Sequence, residues 1–164
     1  METLSQPNSP ISYAGFWLRF IAYLIDDLII GAIGFFVALP FIGGIIFSGI
    51  SMDHLENSDA GTILGVAGIL GSVLGLVLSS IAVGWLYFAL MESTKNQATL
   101  GKMALGLKVT DMLGNPVSFG RASLRYFGKI LSGMIMMIGY IMAGFTEKKQ
   151  ALHDIIAGCL VVRG

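Results

Sequence analysis

Apolar and polar positions divide the chain into three long apolar stretches joined by polar connections. The first runs from about Phe16 to Leu39. Pro40 is expected to bend the chain. The apolar run Phe41–Ile50 beyond it is too short to span a bilayer alone, so it either extends the helix or lies along the interface. The second stretch, Ile63–Leu90, is about 28 residues, enough to cross with a tilt. The third, Ile130–Phe145, has only about 16. Adding Arg121–Lys129 lengthens it to a helix whose basic end can snorkel toward lipid headgroups. The connection Ser51–Thr62 is polar and lacks lysine and arginine, whereas Glu92–Gly120 carries Lys95, Lys102 and Lys108. Within the latter, Leu107–Thr110 and Val117–Phe119 flank the turn signal Asp111–Pro116, the pattern of a short β-hairpin at the membrane surface. Ser118 suits the N-cap of the following helix.

A second periodicity runs through the second stretch. Gly61, Gly65, Gly68, Ser72, Gly75, Ser79 and Ala82 recur at spacings of 4 and 3. That is a heptad seam of small residues, which lets another helix approach closely, from the same chain or from a second copy.

Composition narrows the class. The chain is 55% hydrophobic and only 12% charged, with 22 glycines and a mean hydropathy of +0.80. Soluble domains carry about 25% charged residues, so this is an integral membrane protein, all-α, with about three transmembrane helices. The net charge is zero, and nothing points to nucleic acid. One cysteine, Cys159, excludes an internal disulfide and a cysteine metal cage. Residues 1–12 contain two prolines and no basic residue; they read as a disordered tail, and the first span as a retained signal anchor. Residues 13–164 form a single domain without internal repeats.

The basic connection after the second span belongs in the cytoplasm by the positive-inside rule, which also places the start of the chain there. A simple third span would then put Lys148 and Lys149 outside, against the same rule. A re-entrant hairpin, entering from Arg121 and turning near Gly139, removes the conflict and brings Asp154 to the side of Arg19; backbone of this kind must be covered by protein or water. Both topologies stay open.

The first span also carries Arg19, Asp26 and Asp27. A charge deep in lipid costs roughly 2.5–3.5 kcal/mol even on lenient scales, so such groups face protein or water and mark ion pathways by default. Arg19 and Asp26 share a helix face but stand roughly 10 Å apart along the axis, too far for a contact within one straight helix. Arg19 is therefore expected to pair elsewhere, with Asp154 as a candidate, and Asp26 to look across the small-residue seam. Asp27 points about 100° away, toward a neighbouring helix, a water cavity or a subunit interface. Arg121, Arg125 and Lys129, at i, i+4 and i+8, form a basic face that reads as contact with anionic headgroups. His153 reads as an interfacial side chain. No nucleophile–base pair, phosphate loop or metal motif stands out, so neither an enzyme nor a cofactor is expected.

Three stretches carry a resemblance: YAGFWLRFIAYLIDDLI (Tyr13–Ile29), TLGKMALGLKVTDMLGNPVSFGRASLRYFGK (Thr99–Lys129) and QALHDIIAG (Gln150–Gly158). In this order they resemble the RDD family of small prokaryotic membrane proteins, named for one arginine and two aspartates. Arg19 and Asp26 match the first two. The second aspartate is assigned to Asp154, with Asp27 as the alternative. The resemblance implies the prokaryotic inner membrane and transport, since some members are implicated in Na+/H+ or other cation exchange. The expectation is a homo-oligomeric transport component moving Na+ or H+ with Arg19, Asp26, Asp27 and Asp154 as its relay. The rival is a scaffold whose charges only assemble helices.

Overall fold

A computed structural model describes residues 12–54, 59–135 and 138–164; the expected disordered tail lies outside them except for Ser12. The described residues form α1 (Phe16–His54), α2 (Asp59–Ser93), α3 (Leu100–Ala104), β1 (Leu107–Asp111), α4 (Phe119–Met134), α5 (Ile138–Phe145), α6 (Leu152–Ala157) and β2 (Cys159–Arg163). Both α1 and α2 are long and apolar enough to cross a membrane. α1 runs through Pro40 without ending, so Phe41–Ile50 extends the first helix. α4 and α5 are bent by 104° relative to each other, and they supply the third apolar segment as two pieces. The break precedes Gly139, which lies inside α5; a side chain there would collide with Ser132 of α4.

The chain forms two compact units. One, residues 25–87, is a two-helix hairpin. Its seam of small residues faces α1 of the same chain. Gly61 and Gly65 are buried, and Gly68, Ser72, Gly75, Ser79 and Ala82 are half-buried, while Leu64, Leu74 and Leu78 between them are exposed. Met52 occupies the space beside Gly65, Ser48 that beside Gly68, and Phe41 that beside Gly75. Small residues let the two backbones approach, and packing rather than hydrophobicity holds helices together in lipid.

The other unit comprises residues 12–24 and 88–164 among those described. Its core is a two-stranded antiparallel sheet in which Leu107 pairs with Arg163, Val109 with Val161 and Asp111 with Cys159. The turn after β1 forms as the sequence indicates: the Asp111 carboxylate accepts the N–H groups of Leu113 and Asn115 at 2.8 Å, and Thr110 bridges Pro116. The main partner of β1, however, is β2 rather than residues 117–119. CLVVR supplies a five-residue ladder, whereas the proline at position 116 has no N–H to extend one. Gly158, at φ 60°, ends α6 and turns the chain into β2, a left-handed conformation glycine adopts without strain. β2 also holds the residues before α1. Ala14 N–H donates to Val161 O and Arg163 N–H to Ser12 O, each at 2.9 Å.

Candidate functional site

Charged side chains are gathered inside the unit that holds the sheet. Glu92, the penultimate residue of α2, is 1% exposed. Its carboxylate accepts from Lys102 Nζ of α3 and Arg125 Nη1 of α4, both at 2.6 Å, with Lys129 Nζ at 3.8 Å. Asp154 of α6 is fully buried. It accepts from Arg125 Nε at 2.7 Å, from Arg19 Nη1 and from the Ala151 N–H at 3.1 Å. Arg125 thus bridges the two carboxylates. Arg19 also donates through Nε to Ala14 O at 2.8 Å, tying the start of α1 to the network. Lys129 lies 3.5 Å and Lys102 5.5 Å from the centre of the Phe88 ring, whose negative face attracts both ammonium groups.

Four basic side chains therefore converge on two buried carboxylates. Desolvation of each ion is costly, and close pairing with additional hydrogen bonds offsets it. Burial alone would raise the Asp154 carboxyl, but Arg125, Arg19, His153 and the Ala151 N–H outweigh it and hold the group well below the usual range. His153 sits beside it, with Nδ1 3.3 Å from Ser132 Oγ and its ring against Tyr140. Burial pushes the His153 imidazole down to about 3; Asp154 opposes this, and Arg125, Lys129 and Arg19 reinforce it. Gly128 leaves room for His153 where α4 meets α6.

These positions correct two expectations. Arg125 and Lys129 turn inward to Glu92 and Asp154 and do not line a lipid-headgroup face; only Arg121 of the three stays exposed, 4.0 Å from Asp111. The i, i+4, i+8 spacing defines a helix face but not what it faces, and two buried carboxylates attract it. His153 is buried rather than interfacial for the same reason: α4 covers it.

Arg19 and Asp154 meet, whereas Asp26 belongs to the two-helix unit. Asp26 is 1% exposed and accepts a hydrogen bond from Tyr87 Oη of α2 at 2.8 Å. Asp27, one residue on, is exposed. From Leu28 to Ile50 no charge interrupts α1 for 23 residues, roughly 34 Å of helix, enough for the hydrocarbon core. The two aspartates thus stand at one end of the crossing segment rather than at its centre. Glu92, Lys102 and Tyr87 were not marked as site residues from sequence; a lone acid closing an apolar span before a basic connection is the signal that points to Glu92. Among the described residues, no group of three His, Cys, Asp or Glu side chains is placed to hold a metal ion.

The profile of the RDD family matches residues 13–158. The chain belongs to the RDD family. Two relatives from Bacillus subtilis (strain 168) accompany the match. Uncharacterized protein YxaI is 40% identical over 153 residues, covering 91% of this chain and 96% of its own. Uncharacterized membrane protein YteJ is 33% identical over 159 residues, covering 92% of this chain and 81% of its own. No solved structure matches. As an RDD protein with two apolar helices of crossing length, the chain is a membrane protein.

Proposed function

We propose that this RDD protein is a cation/proton transport component, not an enzyme, and that Asp26 is the carboxylate that receives the transported ion. The observation that carries this is the buried carboxylate of Asp26, met by the Tyr87 hydroxyl, at the end of an uncharged crossing segment. A carboxylate there is a functional group by default, because ionisable side chains are costly within membrane helices. It stands at the end of the crossing segment, beside the exposed Asp27. Arg19 and Asp154, each engaged in the ion network, fall outside the relay and fix the start of α1. Asp27, exposed about 100° around the helix from Asp26, offers a second carboxylate across a subunit interface, since hard cations favour several oxygen ligands.

The working form is a homo-oligomer. Asp27 is exposed on a membrane helix, and a second copy would cover it. The protein resides in the prokaryotic inner membrane, its basic connection and N-terminal side in the cytoplasm, by the positive-inside rule. A second reading, a scaffold without flux, is favoured by the ion network, whose paired groups suit a purely structural role. Reconstitution into liposomes with an enclosed pH dye separates the two. Sodium, lithium or potassium gradients drive proton flux above that of empty vesicles, and Asp26→Asn removes it while the protein stays monodisperse. Absent flux overturns the transport reading; flux that survives Asp26→Asn overturns the role of Asp26.

A further inference from the structure

The segment between the two strands leaves the sheet at Asp111 and returns to it at Cys159, carrying α4, α5 and α6. β2 is in turn hydrogen-bonded to Ser12 and Ala14, directly before α1. The start of α1, β1 and β2 therefore lie on one side of the bilayer. If α4 crossed, the chain would have to cross back before Cys159. α4 has 16 residues, roughly 24 Å, and α5 has 8, roughly 12 Å, against a hydrocarbon core of about 30 Å. Neither piece is long enough, and the 104° bend separates their directions.

The surface of this excursion is inverted relative to a soluble domain. α4 turns Ala122, Arg125, Gly128 and Ser132 inward. Its outer face presents Phe127, Leu131 and Met134, the last 77% exposed, and α5 continues it with Ile141 and with Phe145 at 86%. On α1, in the same unit, Trp17 is 72% exposed. Charges inside and large apolar groups outside suit lipid rather than water. The described backbone near the bend is satisfied internally: Ile135 N–H donates to Leu131 O and Ile138 N–H to Ile135 O. The Tyr140 hydroxyl donates to Lys129 O, bracing α5 against α4.

We propose that α4 and α5 form a re-entrant wedge whose outer apolar face is covered by the acyl chains of the leaflet in which α1 begins, so that the protein crosses the membrane twice. This inference does not depend on ion transport. Substituted cysteines in oriented vesicles test it. Native Cys159 stays in place, because it is buried and burial pushes its thiol up to about 11, with Arg125 opposing and Asp154 and Glu92 adding to the rise. Lys95→Cys and Lys148→Cys, both at exposed positions, are expected to react with an impermeant maleimide from the same side. Bimane on Met134→Cys and Phe145→Cys is expected to be quenched by doxyl-labelled lipids, more by shallow than by deep labels. Labelling of position 148 from the side opposite to position 95 overturns the wedge by showing a third crossing. Bimane left unquenched by lipid overturns it as well, whether the probes react freely with aqueous reagent or are shielded from both by a second copy.

Discussion

Glu92→Gln is the substitution that tests the ion network most directly. It keeps the shape of the side chain and removes the charge. Lys102 and Arg125, each 2.6 Å away, and Lys129 at 3.8 Å then face a neutral amide in a buried site. Removing one partner of a buried ion pair costs about 3–5 kcal/mol. Cys159 gives a native readout, since it lies on β2 in the same unit and is fully buried. When opening is fast relative to labelling, the rate of thiol modification follows the population of the open form. A loss of about 3–5 kcal/mol then speeds labelling by roughly two to nearly four orders of magnitude. Lys102→Gln is expected to cost less, because Glu92 keeps Arg125. Combining Glu92→Gln with Lys129→Gln is expected to cost less than the two separate losses together, the coupling shown by groups of one network. Labelling of Glu92→Gln within threefold of the parent, or additive losses in the double variant, would refute the reasoning.

Two further outcomes follow from local geometry. His153 is pushed down to about 3 in the folded protein, so the unfolded chain takes up its proton first as the pH falls. Stability is expected to be flat above the ordinary histidine value of about 6.5 and to fall from there toward pH 3. Denaturant titrations should lose this slope in His153→Phe; Asp154, held lower still, adds its own loss only below the ordinary aspartate range. In the two-helix unit, Gly68→Leu is expected to destabilise by about 1–3 kcal/mol, because Ser48 fills the adjoining space. Gly71→Leu, with nothing within 4 Å of its added Cβ, is the control and should leave thermal denaturation in detergent unchanged.

Much of the helical architecture was legible because it depends on near-neighbour patterns. Uninterrupted apolar length located α1 and α2, and the 4–3 spacing from Gly61 to Ala82 marked the face that meets α1. Aspartate, glycine, asparagine and proline in succession marked the turn after β1. The partner of β1 was not legible, because CLVVR lies about fifty positions away and reads equally well as the edge of an apolar helix. The direction of the α4 basic face was hidden for a related reason. Headgroups and buried carboxylates both satisfy a stripe of arginine and lysine, and Glu92 and Asp154 come from different helices. The reach of Arg19 to Asp154 followed from a negative argument: seven residues of straight helix keep it from Asp26.

The separation of Arg19 and Asp154 along the chain has a consequence for biogenesis. They stand 135 positions apart, and β2, which clasps the residues before α1, is synthesised later still. Until that segment emerges from the ribosome, Arg19 has no acidic counter-ion there, and Arg125 has only Glu92. A polypeptide interrupted before Asp154 therefore carries Arg19 without this partner and β1 without its paired strand. The ion network closes only after Asp154 has been made, and the sheet only after β2.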